Sequence, residues 1–298
     1  MKTVLLTGAS GYLGQHFKSY YIDSGWQVIT LGRRQEDDIF WDAQSKRTIT
    51  GSDFSFPIDR IVHCAAVNET MIKKSTEITF DVNVTFTRTL CNLAIELDVN
   101  EFIYISTFHV YGVSSGTVGP DTICNPINDY GLTHYLSEEI LKNMLPRAKI
   151  ATLCLRPTNI YGIPPDMSIF NRWSLIPFDF VKKAMKEGNI QLLTAGTQQR
   201  NFVDVRNVVS AEPPSSGFEV RDIYGNDTLT IKDFAELVVE VIKEFHQMDI
   251  RIEKLNDFKQ GENNSEPLQF SSLRNSYKAK GSIRQFIRQF SAMFYEEI

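Results

Sequence analysis

No run in this sequence is apolar and unbroken for long enough to span a bilayer. No leader peptide is expected either: one basic residue precedes Val4, and a glycine turn interrupts the apolar run that follows. Cysteine is scarce. Cys64, Cys91, Cys124 and Cys154 form no C-x-x-C and no metal-ligand spacing, so nothing points to a metal. Cys64 and Cys154 lie in strand-like runs, where buried thiols are the simpler reading. Basic charge is not in excess: 31 Lys and Arg face 36 Asp and Glu, a net −5. That argues against nucleic acid as a partner. Repeats and low-complexity tracts are absent. The expectation is a cytoplasmic protein in a reducing compartment, with no membrane or nucleic-acid partner. At 298 residues, 42% of them hydrophobic, the chain can bury a full core in one large domain or two smaller ones.

What is present is concentrated at the start. Val4, Leu5 and Leu6 make a short apolar run suited to a buried parallel strand. Gly8, Gly11 and Gly14 follow at intervals of three, and an amphipathic helical pattern begins at once, from Tyr12 to Ser24. Strand, tight turn and helix together suit a dinucleotide. The glycines let the backbone approach a pyrophosphate, and the helix start supplies amide donors. Gly8, Ser10, Gly11, Tyr12, Leu13 and Gly14 are the candidate residues for that contact. The alternative is an ordinary strand-to-helix turn without a ligand.

The second strand, Trp26 to Leu31, ends in Gly32, Arg33 and Arg34 rather than in an acid. An acid at this tip would accept from the 2′-OH of NAD, whereas two arginines suit a 2′-phosphate. NADP(H) is therefore favoured over NAD(H), unless the pair is solvated surface. Asp53 follows a Gly-Ser turn and is either an adenine contact or a plain turn aspartate. Arg60 to Ala66 is a buried strand ending in small residues, Ala65 among them, that leave room for a cofactor; His63 within it reads as a packed histidine. Ser75 to Leu97 is a long helix with a broad apolar stripe and one polar exception near its start, Asn83.

Glu101 to Thr107 is a strand ending in two hydroxyls, Ser106 and Thr107, where an open parallel sheet places its ligands. A loop from Gly112 to Asn128, a helix from Asp129 to Leu145 and a strand from Ile150 to Leu155 follow. Later come a helix from Ile169 to Lys186 interrupted at Pro177, a strand from Ile190 to Leu193, and a linker candidate at Glu212 to Gly217. Thr230 to His246 is a helix. The last amphipathic helix carries Phe286, Ile287, Phe290 and Phe294, a face that is either core or an oligomer contact. Thr107 and Tyr130 are the candidate reacting pair. A hydroxyl and a phenol beside a nicotinamide suit hydride transfer at a carbinol carbon, the phenol moving the oxygen-bound proton. A phenol titrates near ~10, so it needs a nearby cation to serve as a base at neutral pH.

Eight segments, taken in order, resemble the motifs of the extended short-chain dehydrogenase/reductase family. These are T-G-A-S-G-Y-L-G (7–14), H-C-A-A (63–66), D-V-N-V-T (81–85), I-S-T-F-H-V-Y-G (105–112), Y-G-L-T-H (130–134), L-R-P-T-N-I-Y-G (155–162), R-N-F-V-D-V-R-N-V (200–208) and Y-G-N-D-T-L-T-I-K-D-F-A (224–235). The family comprises NAD(P)-dependent nucleotide-sugar epimerases, dehydratases and reductases. The resemblance implies an α/β fold, a Rossmann-type doubly wound parallel sheet with a smaller C-terminal substrate-binding lobe. It divides the chain at residue 162, with a segment near 190–212 returning to the first domain. It implies that Thr107 and Tyr130 are catalytic, that Asn83 and Tyr130 lie at the cofactor, and that Thr107, Asn159 and Arg200 meet a nucleotide-sugar substrate. Arg200 in a structural salt bridge is the alternative. A homodimer is compatible with it.

Two positions depart from the family pattern. The lysine expected four residues after Tyr130, which holds the nicotinamide ribose and lowers the tyrosine pKa, is His134. A histidine can donate to the ribose but supplies no permanent cation. The acid usual near the end of the Arg200 motif is Asn207. Three readings stay open: a keto-sugar reductase, slightly favoured because it needs no strong base; an epimerase or dehydratase with transient hydride transfer; and a non-catalytic NADP(H)- and nucleotide-sugar-binding protein.

Overall fold

The computed structural model describes residues 1–42, 48–67, 72, 75–254, 266–271 and 280–295. The chain opens with β1 (Thr3–Thr7), α1 (Tyr12–Asp23), β2 (Gln27–Gly32) and a short β3 (Ile39–Phe40). Next come β4 (Arg60–His63), α2 (76–96), β5 (Glu101–Ile105) and a short β6 (Thr117–Val118). Then follow α3 (Asp129–Met144), β7 (Ala151–Pro157), β8 (Asn159–Tyr161), α4 (Ile176–Glu187), β9 (Asn189–Leu192), β10 (Gln199–Asp204) and α5 (Val205–Val209). The last elements are β11 (Phe218–Ile223), β12 (Asp227–Thr230), α6 (Ile231–His246), β13 (Arg251–Lys254), β14 (Gln269–Phe270) and α7 (Ile283–Tyr295).

Seven strands form one sheet in the order β11-β7-β5-β4-β1-β2-β3, and every adjacent pair is parallel. The chain winds outward from β1 through β2 and β3, then returns to build the other half from β4. The switch point thus lies between β1 and β4, where Thr7 pairs with His63. Period-two alternation feeds both faces. Val4 and Leu6 join Phe17 and Tyr21 of α1 on one side. Leu5, Phe102 and Tyr104 join Phe86, Leu90 and Leu93 of α2 and Leu141 of α3 on the other. Burial on both faces explains the unbroken apolar strands read from the sequence.

The second lobe holds a three-stranded sheet, β12-β10-β8, and the pair β13-β9. Helices α4, α6 and α7 pack together there. Phe178, Phe286, Phe290 and Phe294 are buried, so the aromatic face of α7 belongs to the core.

Two local expectations need correction. Pro177 does not interrupt a helix: it sits in the first turn of α4, where its missing N–H costs nothing. The strand that returns to the main sheet is β11; the expectation for the segment near 190–212 concerned the first domain, not its sheet. In that segment β9 and β10 stay in the second lobe, and α5 packs on α1. The sequence of β11, F-E-V-R-D-I, is an edge strand with three charged residues, Glu219, Arg221 and Asp222, so it lacks the apolar run that marked the other strands. The Gly112–Asn128 loop also carries a strand, β6, paired with β14.

Candidate active site

The crevice at the switch point begins with the glycine turn. Gly8 has φ +68°, and a Cβ there would lie 2.8 Å from the Ala65 amide nitrogen at the end of β4. A Cβ on Gly14 would come 2.0 Å from the Gly8 carbonyl oxygen. Only glycine fits either place. Gly11 caps α1 with no side-chain bond and no acid follows in the first turn, which leaves the helix start suited to an anion. Ser10, Gly11 and Leu13 are half-buried around the turn. Tyr12 is different. Its hydroxyl donates to the Gly162 carbonyl at 3.1 Å, and its ring meets Phe170 and Phe178 edge-on. Its side chain therefore ties the turn to the second lobe and leaves only its backbone for a ligand.

At the tip of β2 the Arg33 side chain is exposed and Arg34 half-buried. The sequence reading missed what lies beside them. The Asp37 carboxylate accepts from the Arg34 amide at 2.9 Å and lies against Gly32, where a Cβ would approach it to 2.3 Å. Asp38 accepts from the amide and hydroxyl of Thr30 at 2.8 and 2.9 Å. The signal was the Asp37-Asp38 pair within a turn's reach of the strand end. Asp53 accepts from the Thr50 amide at 3.0 Å in a capping box, a turn role in the first instance.

Behind the crevice runs a buried polar chain. The Ala65 amide donates to Thr7 Oγ1 at 3.2 Å, which lies 2.7 Å from His63 Nδ1. His63 Nε2 lies 3.0 Å from Thr87 Oγ1, which donates to the Asn83 carbonyl at 2.6 Å. Burial, and then His134 nearby, lower the His63 pKa to about 3, so it is the neutral packed histidine its sequence position suggested. Asn83 sits in a π-type turn, Asp81–Thr85, whose extra residue opens the helical ladder. Its carbonyl can then also accept from Ser137 at 2.6 Å. Its side chain accepts from the Val67 amide at 2.7 Å and donates to Thr133 Oγ1 at 3.0 Å. Asn83 thus clamps the loop after β4 to α3.

The reacting end lies between β5 and α3. Thr107 is buried and accepts from the His109 amide at 3.2 Å. Asn128 caps α3 by accepting from the Gly131 amide at 2.9 Å, which fixes Tyr130 in the first turn. The Tyr130 ring stands edge-on to His134, centroids 4.7 Å apart, and 5.6 Å from the His109 ring. His134 is only 2% exposed. Its Nδ1 lies 2.8 Å from the Tyr104 hydroxyl, and its Nε2 is buried with no hydrogen-bond partner among the described residues. Burial, and secondarily His109, lower its pKa to about 3. The neighbouring Ser106 points elsewhere and donates to Glu138, whose two carboxylate oxygens also accept from Arg156.

On the second-lobe side, Asn159 donates to the Asn201 carbonyl at 3.0 Å, in register with β10. Arg200 is half-buried. It donates to the Gln199 carbonyl at 2.8 Å and to Gln198 Oε1 at 3.2 Å, and burial alone lowers its pKa. Among the described residues no carboxylate pairs with it. Asn207 accepts from the Lys280 amide at 3.0 Å and so anchors the start of the final helical segment.

A family model for the NAD dependent epimerase/dehydratase family matches residues 4–212, most of the chain. The chain belongs to this family. A curated relative, a dTDP-4-dehydro-6-deoxy-D-allose reductase from a Streptomyces species, is 26% identical over 271 residues, covering 81% of this chain and 81% of its own. Two solved structures share the fold. MoeE5 in complex with UDP-glucuronic acid and NAD has a TM-score of 0.80 at 20% identity, over 99% of this chain and 100% of its own. RMD from Pseudomonas aeruginosa, complexed with NADPH, has a TM-score of 0.79 at 18% identity, over 100% of both chains. The sequence resemblance to the extended short-chain dehydrogenases/reductases is borne out, and the chain is an NAD(P)-dependent enzyme of the epimerase/dehydratase type.

The frame of this epimerase/dehydratase fits a nicotinamide dinucleotide on two observations. The Gly8 cradle is one that a Cβ would fill, and His134 Nε2, beside Tyr130, is a buried polar atom left without a partner among the described residues. The glycines and α1 would hold the pyrophosphate, and the β2 tip the adenosine ribose. When bound, the cofactor supplies or takes the hydride. Tyr104 is the second residue that the sequence left unread. It sits mid-strand in an apolar run and gave no sign of meeting a histidine on α3.

Proposed function

We propose that this chain reduces a keto group on a nucleotide-activated sugar, with NADPH preferred over NADH. The observation that carries the reading is the state of the position one turn after Tyr130. His134 is buried and neutral, with a pKa lowered to about 3, where a cation would promote a phenolate. Reduction of a carbonyl needs a protonated phenol as donor, and oxidation of a carbinol needs a base. A phenol whose neighbour one turn on is held neutral is matched to the first task. Thr107 orients the substrate oxygen, and His134 keeps only the positioning part of the lysine's work. The reductase relative from Streptomyces supports this reading, while the bound UDP-glucuronic acid of MoeE5 supports the substrate class.

Arg200 and Asn159 are assigned to the substrate diphosphate, in a cleft between residues 1–162 and the lobe after Gly162. An arginine that faces no carboxylate among the described residues offers its donor fork and charge to such a group. A thermal-shift screen across UDP-, dTDP-, GDP- and CDP-sugars, with cofactor present, tests the substrate class. Stabilisation by one of them is expected, and none by any would overturn the reading.

The NADPH preference rests on Arg33 and Arg34, and Asp37 opposes it, since a carboxylate at this tip suits a free ribose hydroxyl. Fluorescence titration with both reduced cofactors decides between them. Arg33→Ala is expected to remove most of an NADPH preference, about 1–3 kcal/mol for a charge-assisted phosphate contact. Equal affinities in the parent would overturn it.

A further inference from the structure

Two imidazoles flank the Tyr130 ring, and they stand in opposite environments. His134, one helical turn on, is 2% exposed, with its centroid 4.7 Å from that of Tyr130. His109 comes from the turn after β5. It is exposed, and its ring meets the phenol ring edge-on at 5.6 Å. Burial makes a charge on His134 costly, and the nearby His109 opposes it further, since like charges repel. A proton that arrives at this pair therefore rests on His109, where water solvates it.

The chain holds His109 from both ends. Its amide donates to Thr107 Oγ1 at 3.2 Å, and its carbonyl accepts from the Gly112 amide at 3.2 Å. That carbonyl lies so near α3 that a Cβ on Gly131 would come within 2.4 Å of its oxygen. The turn is thus wedged between Thr107 and the first turn of α3, which carries Tyr130. Two other titratable groups stand close by. Asp129, the acid before Tyr130 in the chain, is exposed, and burial holds the Tyr104 hydroxyl protonated beside His134.

We propose that His109 is a positioning residue that acts on Tyr130 through charge: its imidazolium is a switchable cation that steadies the phenolate formed when Tyr130 gives up its proton. This rests on the reading of Tyr130 as proton donor and adds a second residue to the same step. In the reduction, the carbonyl carbon gains a hydride, with its electron pair, from the reduced cofactor. The carbonyl oxygen takes the Tyr130 proton, and the phenolate regains a proton from water. Negative charge is present on Tyr130 only within this sequence. A cation against its ring therefore favours the reaction step over the resting state. A lysine would be charged throughout the neutral range, whereas an unperturbed imidazole titrates near ~6.5. Reduction by this chain is consequently faster on the acid side of the His109 titration. A unit charge at this separation, in the high dielectric of an exposed site, changes the rate roughly 3- to 10-fold.

The charge coupling is measured without substrate or cofactor. Carbon-13 NMR of the tyrosine rings in the whole ligand-free protein follows the ionisation of Tyr130, assigned by comparison with Tyr130→Phe. His109→Arg, which places a permanent cation on the turn, is expected to lower that titration by roughly 0.5–1 pH unit. His109→Gln is expected to leave it where it stands in the parent, whose His109 is neutral at alkaline pH. An unchanged titration in His109→Arg overturns the proposal, because charge at residue 109 would not reach the phenol.

The consequence for the reaction is read from single-turnover reduction of UDP- and dTDP-linked keto sugars by NADPH, with the His109 titration measured by NMR in the same buffers. The parent rate is expected to rise 3- to 10-fold as pH falls through that titration. His109→Gln should lose the rise, and His109→Arg should hold the higher rate on both sides of it. A rise that persists in His109→Gln overturns the proposal and leaves the functional reading standing. No reduction of any of these sugars overturns the functional reading and the task given to His109 with it. The titrations of the ligand-free protein separate that failure from a missing charge coupling.

Discussion

The buried pair Glu138–Arg156 provides a quantitative test of how the floor beneath Thr107 is built. Glu138 is 1% exposed and Arg156 8%. Arg156 donates to both carboxylate oxygens, Ser106 adds a third bond, and the far side of the guanidinium donates to Tyr111 at 2.8 Å. Replacing Arg156 by Met keeps much of the side-chain volume but leaves the Glu138 carboxylate with Ser106 alone. Breaking a buried pair in this way costs about 3–5 kcal/mol, because the remaining charge is uncompensated. One feature argues for the lower end. A cavity of about 320 Å³ borders Glu138, Arg156, Tyr111 and Asp222, and water entering it would solvate the orphaned carboxylate. At about 2–4 °C per kcal/mol for a chain approaching this size, a loss of about 3 kcal/mol lowers the melting temperature by roughly 6–12 °C. Adding Glu138→Gln to Arg156→Met removes the charge and is expected to restore more than half of the loss. Differential scanning calorimetry of the parent, both single variants and the double variant reads the coupling directly. A drop below roughly 3 °C for Arg156→Met, or a double variant no better than the single, would show that the pair is not what holds this floor.

Three further outcomes are expected. Gly8→Ala forces a Cβ to 2.8 Å from the Ala65 backbone at φ +68°; it should cost more than the ~1–2 kcal/mol of the left-handed conformation and abolish cofactor binding, seen by calorimetry and fluorescence titration, and unchanged values for both would refute the cradle. His63 and His134, at about 3, and His16, at about 4, take up protons on unfolding near ~6.5, so stability is full above that pH and falls as pH drops toward the folded values. The slope is up to about 1.4 kcal/mol per pH unit for each histidine, and melting curves from pH 7 to 4.5 should show it shrink by one proton's worth in His134→Gln; a parent that is flat over this range would be the contrary result. In single-turnover hydride transfer, Tyr130→Phe should lose at least the roughly 100-fold typical of acid–base catalysis, and His134→Lys should speed oxidation near neutral pH more than reduction; an undiminished Tyr130→Phe rate would remove Tyr130 from the mechanism.

The legible parts of this chain were those with a local signature. Val4 to Leu6 followed by glycines at intervals of three specify strand, turn and helix from neighbours alone, and the same residues build the cradle. Thr107 and Tyr130 could be paired because the carboxyl end of one strand and the start of the next helix must share a crevice in a parallel sheet. The illegible parts depend on contacts between distant segments. Nothing near Asn83 says that its side chain bridges Val67 and Thr133, because that follows from a one-residue bulge in α2. Tyr104 and His134 are thirty residues apart and meet only when α3 packs on β5. Asp37 went unread because its proximity to Gly32 arises from a turn whose shape the sequence does not declare. The β11 edge strand went unread for a related reason. An edge needs charge on its outer side, and charge erases the apolar run by which buried strands are read.

The position of β11 also bears on how the chain is made. The main sheet takes its outermost strand on that side from beyond the second lobe, so about sixty residues separate β7 from the partner that covers it. At the usual pace of synthesis the nascent chain spends roughly 3–12 s with β7 complete and β11 still to come. Throughout that interval the free edge of β7 offers a row of unpaired amides and carbonyls on a strand that carries Ala151, Leu153, Cys154 and Leu155. A ribosome that stalls within the second lobe would therefore release not a folded dinucleotide domain but a strand-hungry intermediate, and its own sisters on the same message would be the nearest partners for it.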